Sequence, residues 1–254
     1  MNRLEGKVAV ITGGAGGIGK AAGKLFVGEG ADVLLVDLDE EALKSACNDI
    51  GSNKVSYCVA DVTNSSDNQR MISAAEERYG GVDVLVANAG IEGDVTSIVD
   101  YDEKRFDQVM AVNVKGPFLG LKAAIPAIAR RGGGSIIITS SVAGISGAAN
   151  VAPYVTSKHA VIGMMKSAAR ECAPMNIRVN TVNPSPVETR MMRSLEEGFA
   201  PGEAEKARAG MRANIPLGRY AEPEDVAKLM LFLASGDSEF ITGSVYMADG
   251  GSTA

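Results

Sequence analysis

The chain has 254 residues, of which 46% are hydrophobic and 22% are charged, and its formal net charge is −6. This length can bury a sizeable core, whereas the acidic balance, with no basic stripe, argues against nucleic acid as the main partner. No apolar run reaches about 18 residues, and the first strand-like segment begins near Lys7, which leaves no room for a signal peptide. We therefore expect a cytoplasmic protein that does not act at a membrane.

Cysteine and histidine usage argues against a metal site. The cysteines Cys47, Cys58 and Cys172 are widely spaced and form no C-x-x-C pair, which is typical of a reducing compartment rather than of a disulfide framework. His159 is the only histidine, so a histidine-based metal site or a Ser-His-Asp triad is nearly excluded. We predict no metal and expect His159 at the surface.

Predicted strands and helices alternate along the chain. Short apolar segments predict strands at 7–12, 31–37, 54–61, 82–88, 135–140, 176–182 and 244–249. Helical patterns lie between them at about 17–29, 39–50, 65–79, 102–130, 153–173 and 223–234. Several strands are apolar on both faces, as strands between two helical layers are. The predicted fold class is α/β, with a doubly wound parallel β-sheet of about seven strands flanked by helices on both faces.

One segment interrupts this alternation. Residues 188–215 have helical composition with several glycines and one internal proline, but they contain no predicted strand. An insertion after the carboxyl end of a strand is where a lid over a binding site would lie. We expect a substrate lid at about 188–215.

A glycine-rich turn, "TGGAGGIG" (12–19), follows the first predicted strand. It fits G-x-G-x-x-G through Gly14, Gly16 and Gly19, or T-G-x-x-x-G-x-G through Gly13, Gly17 and Gly19. Side chains here would keep the backbone away from a pyrophosphate, whereas the following helix supplies free N–H groups and a positive dipole. The order of strand, turn and helix therefore predicts a dinucleotide-binding loop.

Asp37 ends the second predicted strand, where a dinucleotide-binding fold places an acid against the adenosine ribose. A helix-capping function is the alternative, but Asp39 is better placed for the cap. The Asp37 carboxylate would repel a 2′-phosphate, Leu38 offers no compensating cation, and Lys20 is the one nearby positive charge. We expect NAD, with NADP less favoured, bound by a single Rossmann domain over residues 1–254.

The stretch "PYVTSK" (153–158) places Tyr154 one helical turn ahead of Lys158. Positions i and i+4 lie on one face of a helix, so this pair has two interpretations. A tyrosine ring packed on a lysine stem is the simpler one for such a pair alone. The other is a proton-transfer pair, because a nearby positive charge favours the phenolate of a tyrosine whose usual pKa is about 10.

Seven ordered motifs resemble those of the short-chain dehydrogenases/reductases, and the match covers almost the whole chain. They are "TGGAGGIG" (12–19), "DV" (61–62), "ANAG" (87–90), the asparagine of "AVNVKG" (113), "SIIITSSVAG" (135–144), "YVTSK" (154–158) and "NPSPVET" (183–189). The resemblance implies that Asp61 and Val62 lie against the adenine and that Val187 and Thr189 meet the nicotinamide carboxamide. The implied cofactor-binding residues are Gly13, Gly16, Gly17, Ile18, Gly19, Asp37, Leu38, Asp61, Val62, Asn88, Gly90, Tyr154, Lys158, Pro184, Val187 and Thr189.

The same resemblance implies a catalytic tetrad of Asn113, Ser141, Tyr154 and Lys158. Ser140 is the rival for the serine, but the family's usual spacing to the tyrosine selects Ser141, and neighbouring strand residues point to opposite faces. Tyr154 would take the alcohol proton, or donate it to the carbonyl oxygen in reverse. Ser141 would hold that oxygen, Lys158 would also bond the nicotinamide ribose, and Asn113 would anchor a water.

One position departs from the family pattern. The family commonly has Pro-Gly where this chain has Pro184-Ser185. Serine adds a side chain near the nicotinamide and has less backbone freedom than glycine. The local shape of the substrate pocket is therefore in question.

The expected pocket is mostly apolar. Its substrate-binding residues are Ser141, Ala143, Val151, Tyr154, Ser185, Met191 and Met192, with Val142, Ile145, Pro186, Leu195, Phe199 and Met211 completing the wall. The positive and negative charges of the lid balance, so the lid does not indicate a binding site for a phosphate or coenzyme A group. Arg190 or Arg193 alone could still bind one carboxylate. Flexible methionines suit an uncharged hydrocarbon surface, but they also suit packing of the lid on the body.

These features favour an NAD-dependent oxidoreductase that interconverts a small secondary alcohol, cyclic or aryl-alkyl, and its ketone. An NADPH-dependent 3-oxoacyl-[acyl-carrier-protein] reductase is the alternative, which Asp37 and the lack of a clear basic docking surface disfavour. A catalytically inactive cofactor-binding protein is a third, which the intact tetrad disfavours.

From the resemblance we expect a homotetramer with interfaces at 102–130, 153–173 and the C-terminal segment. The stretch "HAVIGMMKSAAR" (159–170) offers a Met-rich surface unless that face covers the sheet.

Overall fold

A single seven-stranded parallel sheet forms the centre of the protein, whose computed structural model describes residues 2–254. The strand order is β3-β2-β1-β4-β5-β6-β7. The strands are β1 (Val8–Thr12), β2 (Asp32–Asp37), β3 (Val55–Val59), β4 (Val84–Ala87), β5 (Gly134–Thr139), β6 (Ile177–Pro184) and β7 (Val245–Ala248). Every pairing between neighbouring strands is parallel, so the predicted doubly wound α/β fold is confirmed.

Nine α-helices accompany the strands over the described residues 2–254. They are α1 (Gly17–Gly28), α2 (Glu40–Ile50), α3 (Ser65–Tyr79), α4 (Glu103–Met110), α5 (Gly116–Arg130), α6 (Ala152–Cys172), α7 (Arg190–Phe199), α8 (Ala204–Ala213) and α9 (Pro223–Ala234). Each strand and helix of the sequence-based prediction has a counterpart, and the ends differ by a few residues. In residues 2–254 no helix is both long and apolar enough to cross a membrane.

Two apolar layers hold the helices on the sheet. Neighbouring strand residues alternate between them, so that Val10 belongs to the layer that contains residues of α3, α5 and α6, whereas Ile11 belongs to the layer that contains residues of α1, α2 and α9. This alternation follows from the two-residue period of a strand, and it explains why both faces of the strands are apolar. Met165 of α6 is fully buried in the first layer. The Met-rich face of α6 therefore largely covers the sheet, which weakens its case as a contact surface.

The helix predicted over 102–130 is present from Glu103 to Arg130 and contains a π-helical turn. Residues Ala111–Lys115 form a π-helical turn between α4 and α5. Pro117 has no N–H, so the backbone carbonyl of Asn113 lacks its regular helical donor. The side chain of Asn113 forms hydrogen bonds with the backbone of Ile91. The predicted helical stretch is therefore confirmed, and the structure adds a one-residue π-bulge within it, which apolar periodicity does not reveal.

The segment 188–215 contains the two short helices α7 and α8. Met192, Ile215 and Tyr220 form a small separate core, against which Leu195 and Met211 pack. An isolated parallel bridge between Val187 and Ala221 closes the base of the segment. The segment therefore stands over the carboxyl end of β6 as a helical cover with its own apolar contacts.

Candidate active site

A cleft of about 1120 Å³ runs along the carboxyl ends of the strands. It passes the point between β1 and β4 where the strand order reverses, which is the usual ligand site of a doubly wound sheet. One end is the glycine-rich turn, and the other is the cover formed by α7 and α8. The volume suits a dinucleotide together with a small substrate.

Nearly all of the residues predicted from the sequence meet at this cleft. Those that line it are Gly13, Gly16, Gly17, Ile18, Asp37, Leu38, Asp61, Val62, Asn88, Gly90, Ser141, Ala143, Val151, Tyr154, Lys158, Pro184, Ser185, Val187, Thr189, Met191 and Met192. Gly19 and Asn113 lie behind the lining. Ile145 was also expected in the wall, but it is 46% exposed and lies outside the cleft.

The glycine turn brings bare backbone to the cleft. Gly13 has φ +65°, a conformation that favours glycine, and a Cβ added there would lie 2.9 Å from Nδ2 of Asn88. A Cβ at Gly19 would collide with the carbonyl oxygen of Gly13, whereas Gly14 packs on Leu35 of β2 and does not line the cleft. The first turn of α1 has no acidic residue and its N-cap has no side-chain bond. Bare backbone and the absence of acidic side chains suit the binding of a pyrophosphate at this turn.

Asp37 closes β2 with its carboxylate held by backbone. Oδ2 accepts from the N–H of Ala15 at 3.2 Å, and Oδ1 accepts from the N–H of Leu38 at 2.8 Å. Lys20, the cation that might have compensated a 2′-phosphate, is 3.0 Å from Asp49 instead. The carboxylate is thus fixed at the rim of the cleft, and in residues 2–254 no ion pair engages it.

Asn88 joins three strand ends beneath the cleft. Its Nδ2 donates to the carbonyl of Thr12 at 3.1 Å, and its Oδ1 accepts from Oγ1 of Thr139 at 3.1 Å. The Asn88 backbone N–H donates to Oγ1 of Thr12 at 3.0 Å. The floor of the cleft is therefore tied together by side chains as well as by the sheet ladder.

Tyr154 and Lys158 adjoin on α6, as their spacing predicts. The Lys158 Nζ lies 5.4 Å from the centre of the Tyr154 ring and donates to the carbonyl of Thr139 at 2.9 Å. Burial raises the pKa of Tyr154 to about 12, against the opposing effect of a hydrogen bond with Ser141. Burial also lowers the pKa of Lys158 to about 8. In the chain by itself burial therefore disfavours both charged forms, the phenolate of Tyr154 and the ammonium of Lys158.

The two neighbouring serines have different surroundings. Oγ of Ser140 donates to the carbonyl of Lys158 at 2.9 Å, which directs it into the packing of α6. Oγ of Ser141 accepts from the N–H of Ala143 at 3.1 Å, lies 3.4 Å from the carbonyl of Pro184, and interacts with Tyr154. This difference agrees with the choice of Ser141 from strand alternation.

Asn113 is buried in the π-helical turn and supports the site from below. Its Oδ1 accepts from the N–H of Ile91 at 2.8 Å, and its Nδ2 donates to the carbonyl of Ile91 at 2.8 Å and to Oγ of Ser157 at 3.0 Å. A Cβ added at Gly90 would lie 3.3 Å from Oδ1 of Asn113 and 3.6 Å from Nζ of Lys158. Asn113 is thus close to the lysine without lining the cleft.

Ser185 replaces the usual glycine without backbone strain. In residues 2–254 the non-glycine residues with positive φ are Asn150 and Asn176, so the position of Ser185 needs no glycine conformation. The Ser185 N–H lies 3.3 Å from the carbonyl of Ala248, and the residue lines the cleft. The substitution therefore changes the pocket wall rather than the chain path.

The charged side chains of the cover are mostly paired with each other. Glu188 accepts from Arg193 and from Arg208, each at 2.6 Å. Arg193 also lies 2.9 Å from Glu196, whose side chain is 2% exposed. Of the two arginines considered from the sequence, Arg193 is thus occupied, whereas Arg190 is exposed and lines the cleft.

Sequence reasoning missed the backbone partners of the site and its C-terminal wall. Ser252 and Thr253 line the cleft, and Asp249 accepts from the N–H and the hydroxyl of Thr253 at 3.0 and 2.6 Å. The "DGG" stretch at 249–251 is a turn signal that could have indicated this return of the chain. The carbonyls of Thr139 and Ile91 have no sequence signal, because any residue carries them.

Comparisons with known proteins agree with this geometry. The family profile adh_short_C2, described as Enoyl-(Acyl carrier protein) reductase, matches residues 13–253. The 3-oxoacyl-[acyl-carrier-protein] reductase FabG of Thermotoga maritima is 43% identical over 251 residues, which cover 98% of each chain. The trans-4-hydroxycyclohexanecarboxylate dehydrogenase of Sinomonas cyclohexanicum is 39% identical and covers 100% of this chain and 95% of its own.

Two further relatives extend the comparison. The cyclohexanol dehydrogenase of an Acinetobacter species is 34% identical over 99% of this chain and 97% of its own. The crystal structure of levodione reductase superposes with a TM-score of 0.96 at 33% identity and covers 99% of this chain and 100% of its own. The chain belongs to the short-chain dehydrogenase/reductase family, and it is an oxidoreductase that acts on CH–OH donors, interconverting an alcohol and a ketone with a nicotinamide dinucleotide.

Proposed function

We propose that the protein is an NAD-dependent dehydrogenase of small, mostly apolar secondary alcohols, cyclic or aryl-alkyl, and reduces their ketones in reverse. The observation that carries this proposal is the position of Ser141, Tyr154 and Lys158 in one cleft between the glycine turn and an apolar cover. Hydride is accepted and returned by the nicotinamide when the dinucleotide is bound. The chain supplies the proton transfer, the alignment and the exclusion of water.

Tyr154 is the acid/base in this proposal. In oxidation its phenolate oxygen would take the proton from the hydroxyl oxygen of the alcohol, while hydride leaves the carbon that bears this hydroxyl; in reduction the phenol would return the proton to the carbonyl oxygen. The Ser141 hydroxyl donates a hydrogen bond to the substrate oxygen. Because burial raises the pKa of Tyr154 to about 12, a neighbouring positive charge would favour its phenolate, and the Lys158 ammonium and an oxidised nicotinamide would supply it.

Lys158 and Asn113 prepare the site in this proposal. Lys158 already donates to the carbonyl of Thr139, and its remaining protons are available for the ribose of the nicotinamide half. Asn113 holds the loop backbone at Ile91 and would anchor a water that leads protons from Lys158 to solvent. Both functions concern positioning and proton supply rather than contact with the hydride.

The choice of NAD rests on Asp37. Its carboxylate is fixed at the rim of the cleft by the N–H groups of Ala15 and Leu38, where it would bond a ribose 2′-hydroxyl and repel a 2′-phosphate. Asp37→Ser should narrow the preference for NAD over NADP. Equal kcat/KM with the two cofactors in the unmodified protein would exclude this function of Asp37.

The choice of substrate rests on the cover. Met191, Met192, Leu195, Phe199 and Met211 face the cleft, which suits a hydrocarbon ring or chain. Two relatives whose names specify cyclohexane alcohols support this class. We also propose a cytoplasmic location, which the three free cysteines support.

A 3-oxoacyl-[acyl-carrier-protein] reductase is the second candidate. The 43% identity to FabG of Thermotoga maritima favours it, and Asp37 argues against the NADPH that we associate with such enzymes. The two candidates differ in the size of the substrate and in its carrier, so they can be separated directly.

A substrate screen tests the proposal. Absorbance of the reduced nicotinamide is followed with cyclohexanol, 1-phenylethanol and a 3-hydroxyacyl thioester at matched concentrations, each with NAD and with NADP. We expect the highest kcat/KM for a simple secondary alcohol with NAD. A clearly higher value for the thioester would select the second candidate, and no turnover with any compound would favour an inactive cofactor-binding protein.

A further inference from the structure

Arg190 is a positive charge at the cleft with no partner in residues 2–254. It is exposed, it lines the cleft, and no ion pair or side-chain hydrogen bond engages its guanidinium. The other nearby cations are occupied, since Lys158 donates to the carbonyl of Thr139 and Lys20 pairs with Asp49. Arg193 pairs with Glu188. One guanidinium thus faces the cleft without a counter-charge.

The chain path brings Arg190 to the glycine turn. The preceding residue, Thr189, packs on the first residue of α1, since a Cβ added at Gly17 would lie 3.1 Å from Cγ2 of Thr189. The Thr189 hydroxyl is turned back to the carbonyl of Val187 at 3.2 Å. Arg190 then begins α7, whose next residues line the apolar part of the cleft. Arg190 therefore lies between the glycine-turn end of the cleft and its apolar end under α7 and α8.

We propose that Arg190 binds the pyrophosphate of the dinucleotide and so attaches the first turn of α7 to the cofactor. This inference rests on the proposed function. A guanidinium forms charge-assisted, often bidentate hydrogen bonds with phosphate oxygens, and the glycine turn leaves space for a pyrophosphate directly beside Thr189. A carboxylate on the substrate is the other anion that could meet Arg190. The contact of Thr189 with Gly17 favours the phosphate, because it ties this stretch to the phosphate end.

Binding of ADP, which carries the pyrophosphate without the nicotinamide, tests the proposal by calorimetry. Arg190→Gln should raise the Kd of ADP about tenfold, as loss of a charge-assisted bond does, and leave the Kd of adenosine unchanged. The Kd of ADP for the unmodified protein should also depend more steeply on salt than that of the variant. NAD and NADP should lose affinity by the same factor.

Arg212→Gln is the matched control, because Arg212 is an exposed arginine of α8 that does not line the cleft, and its ADP affinity should be unchanged. An unchanged Kd of ADP in Arg190→Gln overturns the proposal while leaving the proposed function intact. A rise in KM confined to a carboxylate-bearing alcohol, such as 4-hydroxycyclohexanecarboxylate, overturns it in favour of a substrate contact. If the unmodified protein does not bind ADP, both the inference and the proposed function fail.

Discussion

Ser140 and Ser141 are neighbours in the chain, yet their hydroxyl groups have different partners. Ser140 bonds the carbonyl of Lys158 inside the packing of α6, whereas Ser141 lies beside Tyr154 in the cleft. Strand alternation and the family's spacing to the tyrosine favour Ser141 from the sequence, and the position of its hydroxyl in the cleft agrees with that choice. The backbone partners of Lys158 and Asn113, which are the carbonyl of Thr139 and the N–H and carbonyl of Ile91, could not be predicted in the same way, because every residue type carries these groups.

The serine pair provides a matched test of the catalytic assignment. Ser141→Ala should lower kcat about 100-fold, because it removes the hydrogen bond that we propose from Ser141 to the substrate oxygen. Ser140→Ala should keep most of the activity and lower the free energy of unfolding by about 1 kcal/mol through one lost buried hydrogen bond. Steady-state kinetics and urea unfolding of both variants check this, and equal kinetic losses in the two would contradict the assignment.

Lys158 is a buried amine whose pKa falls to about 8 on folding. The unfolded chain, with an ordinary lysine pKa, therefore binds more protons between this value and about 10.4, so the free energy of unfolding gains a contribution as pH rises through this range. Relative to Lys158→Met, the unmodified protein should gain about 2 kcal/mol of stability between pH 7.5 and pH 10. Urea unfolding without cofactor measures the difference, and a constant difference would show that burial does not depress the pKa.

At the scale of elements, apolar periodicity predicted the helical stretch at 102–130 but not the π-helical turn within it. The apolar pattern continues through it, but the Gly116-Pro117 pair permits a π-helical turn that places Asn113 under the site. The cover shows the complementary case. Its helical composition was visible in the sequence, whereas the pairing of Glu188 with Arg193 and Arg208 depends on how α7 and α8 meet.

Glu188 connects the two helices of the cover, so its removal should loosen them. Glu188→Gln should raise the KM for the alcohol about fivefold, as expected for the loss of half-buried ion pairs, and change the Kd of NAD much less. Hydrogen exchange in 190–213 should increase. Glu203→Gln removes one exposed ion pair with Lys206 and is the control. It should change neither the KM for the alcohol nor the hydrogen exchange. Unaltered KM and exchange in Glu188→Gln would contradict a connecting function.

At the scale of the whole molecule, the order of strands and helices was predictable because buried parallel strands carry continuous apolar runs. The paths by which α7 and the C-terminal turn reach the cleft were not, since they depend on contacts such as those of Gly250 with Ile215 and Leu217. The assembly is also a whole-molecule property. Phe118 and Phe240 are exposed on α5 and near the C-terminal segment, in the regions expected to form interfaces.

We propose a homotetramer that buries these side chains, because large exposed aromatic groups favour protein contacts. Sedimentation at micromolar concentration should give the mass of four chains. Phe240→Asp should shift the distribution towards smaller species while the secondary structure, followed by circular dichroism, is unchanged. A monomer in the unmodified protein would refute the assembly.

The most direct test of the proposed chemistry is the turnover of Tyr154→Phe, which removes the hydroxyl to which we assign the proton transfer and keeps the ring. We expect kcat to fall by at least about 100-fold, within the usual range for a positioned acid/base. The Kd of NAD and the free energy of unfolding should stay near those of the unmodified protein, which shows that the loss is chemical. Retention of more than about a tenth of the activity would contradict the assignment of Tyr154 as the acid/base.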